Sequence, residues 1–149
     1  MAITSITIFG FFSMFLSSSI NPEKENLERA FQTVKYEIFY AQNRAIRYSI
    51  PHMIIFDTIG NRMQILYARN LLGGRFNFNI YRTINLEEEL GISIYYNNFP
   101  NGQLNITSRG TKSPGGTLRL QSGPHVFNIT FSLGTGRMNI TRHFFYFHN

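Results

Sequence analysis

The 149-residue chain contains no cysteine and no tryptophan. The absence of cysteine excludes disulfide bonds, thiol catalysis and thiolate metal sites, so packing and sheet hydrogen bonds must stabilise the fold. Acidic residues are missing from the whole segment after Glu89, although five basic residues follow there. The segment after Glu89 therefore has a positive net charge, in a chain whose formal net charge is +6.

Charge is also absent from the first 21 residues. As a helix, the apolar segment 3–20 would span about 27 Å, just short of a hydrocarbon core. A signal-peptide core and a buried helix of a soluble protein are the alternatives. The first is disfavoured because no basic residue precedes the apolar run, and the second because apolar side chains lie on all sides of the helix. The sequence therefore predicts a membrane or fibre-core helix over 1–21, whose large apolar side chains include Ile6, Phe9, Phe12, Phe15 and Leu16.

The segment 21–50 predicts an amphipathic helix, which would continue the apolar one. Asn21 is a favourable N-cap residue, Pro22 fits the first turn, and Pro51 supplies the stop. Steps of three and four residues define an apolar stripe that should cover a sheet. This stripe consists of Leu27, Phe31, Val34, Ile38, Ala41 and Ala45.

After Pro51 the hydrophobic period changes to two, which is typical of strands. The clearest hairpin joins 52–57 to 62–68 through a glycine-containing loop, 58–61. Strand 75–84 should have one dry face, formed by Phe76, Phe78 and Ile80. Shorter strands are predicted at 91–96, 103–107, 117–121, 126–132 and 137–141. A helix followed by an antiparallel meander predicts an α+β head over 22–149, with its helix at 22–50 and its β-rich part at 51–149. The helix should lie across one or two sheets.

Nothing in the sequence indicates catalysis. The four histidines have no metal-binding spacing, and the glycine pairs lack the residues of a phosphate-binding loop. The adjacent acids Glu87, Glu88 and Glu89 are typical of a solvated loop, because three neighbours cannot all face one site. We therefore predict a protein that is not an enzyme and that has no metal or cofactor.

Two groups of residues resemble a known family. The first lies on the helix and the first hairpin: Phe31, Lys35, Ile38, Tyr40, Ala41, Gln42, Ala45, Ile46, Ile54, Phe56, Asp57, Asn61, Arg62 and Leu66. The second follows later: Ser108-Arg109-Gly110, Gly116-Thr117-Leu118-x-Leu120, Val126-x-Asn128-Ile129 and Gly134-x-Gly136-Arg137-Met138-x-Ile140. Together they resemble type IV prepilin-like minor pseudopilins, related to the secretion H-type and fimbrial T-type, and most of all the ComGD-type competence pseudopilin of Gram-positive bacteria.

This resemblance implies a minor subunit of a competence pilus that supports DNA uptake during natural transformation. Its partners would be other competence pseudopilins, the pilus assembly machinery and the membrane. It would cross the cytoplasmic membrane once with its head outside and reach the cell surface after assembly. A secretion or adhesion pseudopilin, and a membrane-anchored DNA- or wall-binding module, are the alternatives.

One family feature is absent. Members carry a basic leader, a cleavage-site glycine, an aromatic first residue and a glutamate shortly afterwards, whereas the first acid here is Glu23. The alignment of the apolar helices therefore places Met1 about ten residues inside the mature N-terminus.

Direct DNA contact is a further hypothesis. Basic side chains beside aromatic ones can bind phosphates and stack on bases. The candidate contacts are Arg109, Lys112, Arg119, Arg137 and Arg142. The alternative is that Arg137 is an ordinary edge-strand charge and that the aromatic run 144–147 packs on the sheet or on a partner.

Overall fold

The computed structural model describes residues 22–70, 76–132 and 138–144. The predicted apolar helix 1–21, with Ile6, Phe9, Phe12, Phe15 and Leu16, lies outside these residues. Within the described ranges, no helix combines the length and the apolar character needed to cross a membrane.

The first described element, helix α1, runs from Pro22 to Tyr48. Glu23 and Glu25 occupy its first turn and Arg47 its last, which suits the helix dipole at both ends. The whole predicted stripe is buried, so this prediction is confirmed. The stripe packs against strands of both sheets, and the core lies between the helix and these sheets.

Within the described residues, nine strands and a second short helix follow. The strands are β1 (His52–Asp57), β2 (Arg62–Asn70), β3 (Phe76–Asn85), β4 (Ser93–Asn97), β5 (Gln103–Ile106), β6 (Lys112–Ser113), β7 (Gly116–Ser122), β8 (His125–Phe131) and β9 (Met138–Phe144). Helix α2 covers Leu86–Leu90, and a 3₁₀ turn covers Pro100–Gly102. The predicted hairpin is confirmed as β1 and β2, joined by 58–61.

The described strands form two antiparallel sheets, within the expectation of one or two sheets, but their order is not that of a continuous meander. Sheet A has the order β3-β2-β1-β5-β6, and sheet B has the order β4-β7-β8-β9. The chain leaves sheet A after β3, contributes β4 to sheet B, and returns with β5 beside β1. Such long-range pairing leaves little trace in local periodicity, which is why the sequence did not predict it.

Two local predictions were wrong. Glu87, Glu88 and Glu89 lie on α2 rather than in a loop; they are exposed, while Leu86 anchors this turn in the core. Ile80, which was expected on a dry face, is 58% exposed. It pairs with Leu66 and lies on β3, which is an edge strand of sheet A.

A β-bulge in β3 accounts for part of this difference. Ile65 faces Arg82 and Leu66 faces Ile80, so Tyr81 is an extra residue in the ladder. A bulge can direct two successive side chains to the same side of a sheet. Here Tyr81 and Arg82 both reach residues of α1, as described below.

Candidate functional site

The bulge in β3 builds a cluster of aromatic rings around one guanidinium group of α1. The Arg44 guanidinium carbon lies 4.8 Å from the ring centroid of Tyr81, 5.1 Å from that of Tyr48 and 5.8 Å from that of Tyr40. Residues 40, 44 and 48 are four apart, so they lie along one helical stripe. We call these four residues the tyrosine–arginine cluster.

Hydrogen bonds fix this cluster. The hydroxyl groups of Tyr40 and Tyr81 are 3.2 Å apart, and Arg44 donates to the Tyr40 hydroxyl at 3.5 Å. The hydrogen bond from Tyr81, followed by that from Arg44, lowers the pKa of Tyr40 below its ordinary value of 10.0. The bond to Tyr40 raises the pKa of Arg44 in turn, so the guanidinium stays charged.

An ion pair between a buried carboxylate and a half-exposed guanidinium lies beside the cluster. Arg82 Nη1 donates to Glu37 Oε1 at 2.7 Å, while Glu37 Oε2 is buried without a hydrogen-bond partner. Burial raises the pKa of Glu37 above 4.5, and the charge of Arg82 opposes that rise. The sequence did not lead us to predict this pair, although Glu37 follows Val34 by three residues within the apolar stripe. A charged residue at such a position indicates a buried partner of opposite charge.

The structure places the candidate DNA contacts in different parts of the head. Arg109 is exposed in the turn between β5 and β6, and Arg119 is exposed on β7, where its guanidinium lies 4.9 Å from the Tyr96 ring centroid. Arg137 and the side chain of Arg142, on β9, are outside what the structure describes. Among the candidates that the structure describes, Arg109 and Lys112 lie together, in and directly after the β5–β6 turn.

Lys112 is an unusual member of that set because it is only 8% exposed. Its Nζ atom lies 5.7 Å from the ring centroid of Phe39, and burial lowers its pKa below 10.5. A nearly buried ammonium group under an aromatic ring is poorly placed to reach a phosphate. Its main contact is with α1.

The turn that carries Arg109 is held against α1. Gln42 Nε2 donates to the Gly110 carbonyl oxygen at 2.9 Å, and Gly110 lies against Ile46. Gly110 has a φ of +80°, which favours glycine. This arrangement places Arg109 beside the last turns of α1, on the side of the helix that carries Gln42 and Ile46.

The described residues contain no group of three or more His, Asp or Glu side chains that could hold a metal. The open clefts among these residues include one of about 370 Å³ beside Asp57 and Asn97 and one of about 480 Å³ beside Glu87 and Gln121. In the first, Asn97 already donates to the Phe56 carbonyl and accepts from Phe99 N, so its amide is used structurally.

Comparison with solved structures gives the class of fold. The chain is similar to two structures of the minor pseudopilin EpsH from the type II secretion system of Vibrio cholerae, with TM-scores of 0.56 and 0.55 and identities of 17% and 16%. These matches cover 74% and 78% of this chain and 92% and 94% of EpsH. No protein-family description matches the sequence, and neither does any curated protein.

A third structure is the type IV minor pilin FimU of Pseudomonas aeruginosa, with a TM-score of 0.55 and 14% identity. This match covers 80% of the present chain and 90% of FimU. The long helix packed on antiparallel sheets is thus the type IV pilin-like fold, and the predicted fold class is confirmed.

Proposed function

We propose that the chain is a minor pilin or pseudopilin, a structural subunit of a type IV pilus-like or type II secretion-like fibre. The observation that carries this proposal is α1, which begins directly after the charge-free segment 1–21 and packs its buried stripe on both sheets. Residues 1–21 would hold the subunit in the cytoplasmic membrane, with its head outside, and then in the fibre core. Both surroundings are apolar, so transfer between them costs little.

The system that we propose first is a competence pilus. The residues that resemble the ComGD-type pseudopilins extend from Phe31 to Ile140, and such a subunit would support DNA uptake without performing chemistry. Its partners would be other competence pseudopilins and the assembly machinery. A secretion pseudopilin is the second candidate, favoured by the similarity of the head to EpsH.

Deletion of the gene distinguishes these candidates. We expect transformation frequency to fall in a clean deletion and to recover on complementation with the chain preceded by its upstream coding sequence. A second complementation with the chain from Met1 tests whether that upstream sequence is needed. Unchanged DNA uptake together with a secretion defect would instead favour the second candidate. A chain that is absent from the membrane fraction would contradict both.

Direct DNA contact by this subunit remains a separate hypothesis. Arg109 and Arg119 are the two exposed candidates among the described residues, and they lie on different sheets. An Arg109→Ala and Arg119→Ala double variant should retain less DNA at the cell surface if either contact exists. Unchanged retention would argue against these two contacts and leave the pilin proposal intact.

A further inference from the structure

The edge strands of the two sheets differ in how well they are protected against pairing with another chain. An unprotected edge presents a row of unpaired backbone N–H and C=O groups, which can bind a further strand. Among the described residues, the edges are β3 and β6 in sheet A and β4 and β9 in sheet B. Strand β6 has two residues, β4 is interrupted by a register shift between Ile94 and Tyr96, and β9 contains the charged Arg142. Short length, irregularity and charge all disfavour edge pairing.

The first half of β3 lacks such protection. Residues 76–81 include no charge, no proline and no glycine. None of residues 77–83 is buried, and no described strand lies on the side of β3 away from β2. The second half is protected by the bulge at Tyr81 and by Arg82, whose side chain turns inward to Glu37. The open part of this edge is therefore the segment 76–80.

The two faces of this segment carry different side chains. Ile65 pairs with Arg82, which reaches α1, and the next residue, Leu66, pairs with Ile80. Because successive side chains of a strand alternate between faces, Ile80 lies on the face of sheet A away from α1, and Asn79 lies on the α1 face. Ile80 is 58% exposed. A strand added at this edge must therefore bring an apolar side chain to one face and a polar, uncharged one to the other.

A second copy of β3 meets this requirement. If two copies run antiparallel about a two-fold axis at Asn79, Ile80 of one copy faces Phe78 of the other, so apolar side chains meet on one face. The two Asn79 side chains meet on the other face, where each amide can both donate and accept a hydrogen bond. The segment 76–81 carries no charge, so the pairing brings no like charges together and the segment offers no attraction for a polyanion.

We propose that residues 76–80 of β3 pair with the same strand of a second copy, antiparallel about Asn79, which joins two copies of sheet A into one continuous sheet. The same surface is used on both copies, so the contact closes as a dimer and does not build a filament. The two-fold axis, perpendicular to the sheet, makes the two α1 helices run in opposite directions. The pair would therefore join subunits of separate fibres rather than neighbours anchored in one membrane; only this last step rests on the proposed function.

Cysteine cross-linking tests this contact in the full chain, purified in detergent. Since the native sequence has no cysteine, each introduced thiol is unique. Asn79→Cys copies treated with a short bismaleimide should give a covalent dimer, because the two-fold axis places the two thiols opposite each other. The matched control is Asn139→Cys, since Asn139 is exposed on β9, the edge of sheet B. This control should remain a monomer under the same conditions.

Charge at position 79 tests the direction and register of the pairing. Asn79→Lys alone and Asn79→Glu alone place like charges opposite each other, so each should dimerise at least about tenfold more weakly than the native chain. An equimolar mixture of the two variants should recover dimerisation as a heterodimer. Analytical ultracentrifugation measures the association, and circular dichroism checks that each variant is folded. All variants keep residues 1–21, so any association through that segment is unchanged, and Asn139→Lys should dimerise like the native chain.

Three outcomes would overturn the proposal. A native chain that stays monomeric at its highest soluble concentration would show that β3 does not pair. A dimer that persists in Asn79→Lys, or equal cross-linking at Asn139, would place the contact elsewhere. Oligomers larger than a dimer that disappear in Asn79→Lys would show that the pairing does not close about a two-fold axis. The gene-deletion experiment does not depend on any of these results, so failure here is distinguishable from failure of the proposed function.

Discussion

Arg82 and Glu37 form an ion pair that joins the edge strand β3 to the buried face of α1. The Nη1–Oε1 distance is 2.7 Å, and the Glu37 side chain is 2% exposed whereas that of Arg82 is 49% exposed. The carboxylate of the pair is therefore buried, whereas the guanidinium is partly exposed to solvent. The bulge at Tyr81 turns Arg82 toward the helix, so the pair depends on an irregularity of the strand.

Replacement of Arg82 should destabilise the head. Arg82→Met leaves the Glu37 carboxylate buried without a cation, and we expect a loss of about 1–3 kcal/mol in the free energy of unfolding. The double variant Arg82→Met with Glu37→Met removes both charges and should recover most of this loss. Urea unfolding followed by circular dichroism measures both. A single variant as stable as the native chain would show that the pair contributes nothing.

Much of the fold could be predicted from the sequence because the hydrophobic patterns that define its helix and its first hairpin are local. The apolar stripe of α1 and the hairpin β1–β2 follow from periods of three to four and of two residues. The strand order of the two sheets could not be predicted, since pairing of β1 with β5 depends on contacts about fifty residues apart. The candidate site was missed for a similar reason: Tyr81 and Arg44 are distant in sequence and meet only through a bulge.

The pKa of Glu37 predicts a dependence of stability on pH. Burial raises this pKa above 4.5 in the folded state, so between 4.5 and the raised value the folded chain binds more protons than the unfolded chain. The contribution of Glu37 to stability should therefore be most favourable at low pH and decrease as the pH rises through that window. Glu37→Gln lacks this titration. The native chain should lose stability relative to Glu37→Gln between pH 4 and pH 7, as measured by urea unfolding. If the free energies of unfolding of the two chains change in parallel with pH, Glu37 does not titrate in this way.

The pKa of His52 predicts the opposite dependence of stability on pH. Its Nδ1 atom donates to the Ile50 carbonyl at 2.8 Å, and its Nε2 atom is buried without a partner. Burial lowers its pKa below 6.5, outweighing the opposing effect of the bond to Ile50, while Arg44 lowers it further. The unfolded chain therefore binds more protons just below pH 6.5, so stability should rise with pH through that window.

The variant His52→Gln isolates this effect. Relative to it, the native chain should lose stability as the pH falls below 6.5, which is the reverse of the change assigned to Glu37. Thermal unfolding at matched ionic strength measures the difference. If both variants give the same slope, neither group controls the pH dependence.

Gly110 should tolerate substitution less well than Gly91, although both have a positive φ. A Cβ at Gly110 would lie 2.6 Å from Cδ1 of Ile46, whereas at Gly91 the nearest atom is 3.5 Å away. Backbone strain costs roughly 1–2 kcal/mol for alanine at either position, and Gly110→Ala must in addition displace the turn that carries Arg109 from α1. We expect Gly110→Ala to unfold at lower urea concentration than Gly91→Ala. A Gly110→Ala chain that matches Gly91→Ala in this measurement would show that Ile46 moves aside, and that the turn does not depend on this close approach.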